Sequence, residues 1–189
     1  LDMDEEARIR KAAPIQDWIV PKYSPAQRAK ILSDYNHLDP KRMIQTSALE
    51  NAVLFYDANR VRLPNSRFMT LVDFNQHSGK RRFFIVDMVT GVVDSFHTAH
   101  GRYSDRNDDG LATDFGNVVD SGKSSVGFAY VAESYTGKYG YSARVDGLSA
   151  TNSNLRTRAV VIHPSSYVYP ERKKMGRSLG CWSIDKATS

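Results

Sequence analysis

The apolar residues of this chain change their spacing near residue 67, and few folds accommodate both halves of that pattern. Before it, Ser24-Pro25 ahead of AQRAKILSDY reads as a helix start, with serine as the cap and proline in the first turn. Asp39-Pro40 is expected to open a second, longer helix, in which Ile44, Ala48, Ala52 and Phe55 recur at helical spacing with Leu49, Val53 and Tyr56 alongside. One apolar face results, suited to packing on the domain that follows. From Arg67 onward, short runs rich in Phe, Val, Ile and Tyr are broken by Ser78-Gly79, Thr90-Gly91, Gly137 and Gly140, which is the texture of strands and turns. The expected fold class is α+β: a helical extension over residues 1–66 packed on a mainly β domain over 67–189, a sandwich or barrel of short strands.

With 189 residues, 41% of them hydrophobic and 25% charged, the chain is long enough for one well-buried domain with an extension. It contains no internal repeat and no low-complexity linker. No run approaches the ~20 apolar residues that cross a bilayer, and residues 1–12 are too polar for a signal peptide. A single cysteine excludes an internal disulfide. Cys181 lies in GRSLGCWSID and follows His163, the histidine of AVVIHP, by 18 residues. On residue type alone such a cysteine is a small buried hydrophobe and such a histidine a hydrogen-bonded structural residue. The local pattern argues for chemistry: His163 closes a β-type run, a polar basic loop follows, and Gly176 and Gly180 flank the approach to the thiol. Thiolate is the reactive form of cysteine, and an imidazole is the usual group that produces it. Glycines let main-chain N–H groups approach a reacting carbonyl.

At these residues the chain resembles the L,D-transpeptidases, the YkuD-type cysteine enzymes of bacterial peptidoglycan. The motif is a histidine, fifteen to twenty residues, then Ser-x-Gly-Cys, here His163 to Cys181. The segments FMTLVDFNQHSGKRRFFIVDMVTGVVDSFHTAHG, SSVGFAYVAESYTGKYGYSARVDGL and NLRTRAVVIHP resemble successive parts of the murein L,D-transpeptidase branch, so the likeness spans roughly residues 67 to 187. It implies Cys181 as nucleophile, His163 as base, and the backbone carbonyl of Pro164 as the group that orients the imidazole. It further implies backbone N–H groups around Leu179, Gly180 and Cys181 as oxyanion donors, with Ser178 positioning the turn. Tyr139, Tyr141 and Arg144 fall where the family carries a lid, and with Arg177 they are the expected substrate-binding residues. Four positions depart from the wider pattern: Leu179 stands where a histidine is common, Trp182 and Ser183 follow the cysteine where Arg or Asn is often found two residues on, and Pro164 follows the base.

The activity implied is acyl transfer on stem tetrapeptides through a thioester, with D-alanine leaving and an amine or water as acceptor; water would make it an L,D-carboxypeptidase. No cofactor is implied. Periplasmic or secreted placement follows from the substrate, with Leu1 as an expression or processing boundary. Two alternatives stay open: a non-catalytic cell-wall-binding relic of the same fold, and a sortase-like cysteine transpeptidase, although residues 182–189 hold no arginine after the cysteine. Papain-like enzymes place Cys before His, the reverse order.

Net charge is +5, and the excess lies in residues 61–189, with 17 cations against 12 anions, while residues 1–60 balance nine with nine. The densest patch, Arg172, Lys173, Lys174 and Arg177, falls between His163 and Cys181, where it suits an anionic peptide. Nucleic acid is a weaker fit, because the charge is modest and no recognised motif is present, and no nucleic-acid partner is expected. DRNDDG, residues 105–110, imitates the start of a calcium loop, but its twelfth position is Gly116 where a bidentate Glu is required, so a polar surface loop is expected. His97 and His100 lack partners for zinc, and no metal is expected. The AHG at residues 99–101 resembles the same family branch, which implies that His100 packs beneath or beside the cleft. The sequence leaves oligomeric state open.

Overall fold

A computed structural model describes residues 18–186, which divide into two compact units, one of residues 18–73 and 83–95 and the other of 74–82 and 96–186. The fold class is α+β, with two α-helices and two sheets of short strands among the described residues.

In the first unit, helix α1 (Pro25–Ser33) begins at Ser24 in a capping box: the Gln27 N–H donates to Ser24 Oγ and the Ser24 N–H donates to the Gln27 side chain. Helix α2 runs Thr46–Asn59 behind an N-cap at Gln45, so Asp39-Pro40 does not open it. Asp39 sits at φ 52° and its carboxylate accepts the Met43 and Ile44 N–H groups at 2.9 and 2.8 Å. That left-handed residue makes a turn and displaces the helix start by six positions, leaving Ile44 outside α2. Strand β1 (Phe68–Val72) pairs antiparallel with β2 (Phe83–Asp87), and β3 (Val93–Phe96) lies next to β2 beyond the turn at Thr90-Gly91, where Gly91 has φ 77°. Leu38, Ile44, Val53, Phe84, Val86 and Met88 form its core. Each side chain of this size contributes roughly 1.5–3 kcal/mol on full burial.

The second unit is built on a four-stranded sheet in the order β4-β5-β6-β7. Strands β4 (Ala129–Gly137) and β5 (Gly140–Gly147) form a hairpin, β6 (Val161–Ser165) pairs antiparallel with β5, and β7 (Trp182–Asp185) pairs parallel with β6. A parallel neighbour needs a long crossover rather than a tight turn; here residues 166–181, including the basic loop, make it. Arg156 ties the hairpin together by pairing with both Glu133 on β4 and Asp146 on β5. No helix among the described residues is long and apolar enough to cross a membrane.

Candidate active site

Strand register brings the two expected chemical residues to one face. His163 is opposite Ser183 across the parallel β6–β7 pair, and Cys181 immediately precedes β7, two residues before Ser183. Side chains alternate along a strand, so Cys181, Ser183 and His163 share a side of the sheet. On the antiparallel flank Arg144 is opposite Val161, which places it on that same side.

The imidazole is fixed at both nitrogens. His163 Nδ1 lies 2.9 Å from the Pro164 carbonyl oxygen, which only accepts, so Nδ1 carries the proton. Nε2 therefore offers a lone pair, and the Ser183 hydroxyl meets it at 3.0 Å. Ser183 Oγ is in turn 2.7 Å from the Tyr167 hydroxyl. The Tyr139 ring, from the β4–β5 turn, covers the imidazole with centroids 4.8 Å apart. Burial pushes the His163 pKa below its ordinary value, opposed by the Pro164 carbonyl.

The thiol is held separately. Cys181 Sγ is 3.8 Å from the Ala159 carbonyl oxygen. Burial raises its pKa, opposed by the Val161 backbone N–H and the Arg158 guanidinium. With both shifts toward neutral forms, the resting pair is thiol and neutral imidazole. Arg158 itself is anchored by hydrogen bonds to the Gly116 and Lys123 carbonyls and the Ser125 hydroxyl.

The turn before the cysteine is clamped by Ser178. Its hydroxyl donates to the Cys181 carbonyl at 2.8 Å and accepts the Gly180 N–H at 3.0 Å. The Gly180 N–H, expected as an oxyanion donor, is thus committed to Ser178. Gly180 sits at φ 121°, and a Cβ there would meet the Lys123 carbonyl oxygen at 2.8 Å and Arg158 Nη2 at 3.0 Å, so this position needs glycine. Leu179 is 72% exposed, leaving its side of the turn open. Gly176 serves another end: its N–H donates to the Tyr167 carbonyl at 2.9 Å, and its missing Cβ leaves room for the Tyr167 ring.

Beneath this turn lies a buried polar chain. The Ser178 N–H donates to the His100 carbonyl and the Arg102 N–H to the Ser178 carbonyl, both at 2.8 Å. His100 Nδ1 is 2.9 Å from Arg82 Nη2, a pure donor, so its proton is on Nε2, facing Asp105 Oδ2 at 3.2 Å. Burial, then the Arg82 charge, lower the His100 pKa to about 4. The DRNDDG segment closes over it: Asp105 accepts the Asp109 and Gly110 N–H groups, occupying oxygens that a calcium ion would need. No group of three or more His, Cys, Asp or Glu among the described residues is arranged to hold a metal.

The remaining expected residues are placed unevenly. Arg177 turns inward, donating to the Asp105 carbonyl at 2.5 Å and pairing with Asp108 at 3.3 Å. Lys174 also pairs with Asp108, and Arg172 stacks on Tyr169. Arg144 pairs with Glu133 at 3.0 Å and lies 4.5 Å over the Tyr135 ring, while its Nε is buried without a hydrogen-bond partner. Tyr141, opposite Thr136, is on the other side of the sheet from His163 by register, 64% exposed, with its hydroxyl on Ser134. Ser183, Tyr167 and Arg158 were not among the expected site residues. Period-two alternation in CWSID was a usable signal for Ser183, because it puts that residue on the Cys181 side; Tyr167 and Arg158 reach the site only through long-range folding.

Residues 40–189 match a family model described as the L,D-transpeptidase catalytic domain. No curated protein and no solved structure matches the chain. The match takes in strand β6 with His163, the turn with Cys181 and strand β7, and most of the sequence, and on that basis the chain belongs to the L,D-transpeptidase catalytic domain family.

Proposed function

We propose that this protein is a peptidoglycan L,D-transpeptidase that works through a thioester on Cys181. The observation that carries the reading is that His163 on β6 lies opposite Ser183 on the parallel strand β7, with Cys181 two residues ahead of Ser183 where the chain enters that strand. His163 Nε2 takes the thiol proton as sulfur attacks the carbonyl of the third-position diamino acid of a tetrapeptide stem, forming the C–S bond. Collapse of the tetrahedral adduct breaks the C–N bond, and the same proton passes from Nε2 to the departing D-alanine amine. An acceptor amine, from another stem or a free D-amino acid, then attacks the thioester and gives a proton to Nε2, which returns it to sulfur. Water in place of the amine makes the reaction an L,D-carboxypeptidase.

With the Gly180 N–H bound to Ser178, the Cys181 N–H and Leu179 N–H are the candidates for the oxyanion. A single such donor is typically worth about 3 kcal/mol of barrier. Tyr139 covers one face of the imidazole. The unpartnered Arg144 Nε suits a stem carboxylate. An extracytoplasmic location follows from this substrate.

Intact-protein mass spectrometry after mixing with a tetrapeptide stem tests the reading: the expected adduct carries the stem less D-alanine and maps to Cys181. A second reading, a non-catalytic wall-binding relic, draws on the orientation of Sγ toward Ala159 and the engagement of Nε2 by Ser183. It predicts binding of the stem without any adduct.

A further inference from the structure

We propose that Ser183 and Tyr167 are positioning residues whose hydroxyls form a reversible chain on His163 Nε2, one that partners the imidazole in both of its protonation states. The inference rests on His163 being the base and goes beyond that assignment, because neither hydroxyl belongs to the nucleophile, the base or the oxyanion turn. The chain is the 2.7 Å contact from Tyr167 to Ser183 followed by the 3.0 Å contact from Ser183 to Nε2. Ser183 is fully buried, so its hydroxyl has no solvent to turn to. Thr98 Oγ1 donates to the Ser183 carbonyl at 2.9 Å, and the Ala99 N–H donates to the same oxygen at 3.1 Å, which fixes the backbone that carries it. The Tyr167 ring packs in the space left by the absent Cβ of Gly176.

The direction of the chain follows from the proton on Nδ1. When the imidazole is neutral, Tyr167 O–H donates to Ser183 Oγ and Ser183 O–H donates to Nε2. When Nε2 takes the thiol proton, its new N–H donates to Ser183 Oγ, and the Ser183 proton turns to the Tyr167 oxygen. Two hydroxyl rotations accomplish this, and no proton is gained or lost by the chain. A carbonyl at the position of Ser183 would suit only the imidazolium, and an N–H only the neutral ring; a hydroxyl backed by a second hydroxyl suits both. A proton held on a ring that is already oriented can be returned to the leaving amine without the imidazole moving.

The charged state gains more from the chain than the neutral one, since a hydrogen bond from an imidazolium is about twice as strong as a neutral one. Removing either hydroxyl therefore lowers the His163 pKa. Ser183→Ala takes the acceptor away directly; Tyr167→Phe removes the oxygen to which the Ser183 proton must turn. The second effect acts on a ring that Tyr167 does not touch through its hydroxyl, and simple packing does not predict it. The Tyr139 ring from the hairpin is also packed on the imidazole; on the same side of the sheet are Cys181 ahead of β7, with Arg158 facing the thiol, and Arg144 with its partner Glu133. No charged neighbour contributes to the His163 shift.

The test is an NMR titration of the His163 ring proton in wild type, Ser183→Ala and Tyr167→Phe, together with kcat and KM for a tetrapeptide donor across pH. The account expects the His163 titration to move to lower pH in both variants, by about half a unit to one unit, with Tyr167→Phe the smaller. It also expects kcat to fall roughly 10- to 100-fold in Ser183→Ala with KM little changed. Titrations superimposable on wild type overturn the proposal, as does a fall in kcat without any displacement of the pH profile, which marks a merely structural role. Should Ser183→Ala fail to fold, Tyr167→Phe, which keeps the ring, decides. If wild type forms no product at all, the functional reading fails while the titration still tests the chain.

Discussion

Gly180 shows how narrowly the thiol is presented. Its φ of 121° and the 2.8 Å approach of the Lys123 carbonyl to a built Cβ rule out a side chain on two separate grounds. Gly180→Ala is expected to lower turnover by roughly 100-fold, the order of loss that a displacement near 1 Å causes at a reacting centre, while most of the thermal stability survives. Calorimetry beside a kinetic assay separates the two effects. The protonation states give a second expectation. General-base attack requires neutral His163 and proceeds from a protonated thiol; burial depresses the first pKa and raises the second. The acid limb of kcat/KM should thus have its inflection below 6.5, the ordinary histidine value; an inflection above it contradicts a buried neutral base. His163→Ala should cost about 100- to 10,000-fold, the usual range for a positioned base.

At the level of elements, the crossover between β6 and β7 is cross-braced rather than free. Lys174 and Arg177 share Asp108, so one carboxylate offsets part of the charge of two of the four cations of the basic patch. Capture of an anionic stem then falls chiefly to Lys173, which is exposed, and to Arg172 beside Tyr169. Changing Arg172, Lys173 and Lys174 to Gln should reduce kcat/KM more than kcat, with a deficit that shrinks as salt rises, since ~0.1 M salt screens exposed charges beyond ~10 Å. A salt-independent fall in kcat would instead give the crossover a role in shaping the turn. How legible these elements were in the sequence depended on how local their causes are. Ser24 and Pro25 act within one turn of helix, so the start of α1 could be read directly. Asp39-Pro40 carries the same kind of signal, yet the positive φ of Asp39 sends its carboxylate to cap a turn, and α2 waits for Gln45. Gly137 and Gly140 marked the hairpin because turn chemistry is also local, whereas nothing near Arg158 or Tyr167 announces partners that lie many residues away.

Across the whole molecule, the site rests on a buried support whose protonation ties activity to stability. His100 is depressed from 6.5 to about 4 by burial and by Arg82. A depressed folded pKa means that its contribution is complete above 6.5 and is lost as pH falls toward about 4, an effect of about 3 kcal/mol. Urea midpoints should decline through that window, and midpoints that hold steady until pH drops below it contradict the buried neutral assignment. The sequence singled out Cys181 and His163 as candidates because motif and spacing survive in one dimension; it left the Ser183–Tyr167 chain and the Arg82–His100–Asp105 support unseen because both are assembled by pairing distant segments. The central claim, that Cys181 performs acyl transfer on peptidoglycan stems, is tested most directly by mass spectrometry of purified muropeptides incubated with wild type and with Cys181→Ala. The account predicts loss of D-alanine from tetrapeptides and new 3-3 cross-linked, D-amino-acid-exchanged or tripeptide products with wild type only. Unchanged muropeptides with wild type, or the same products from Cys181→Ala, would contradict it.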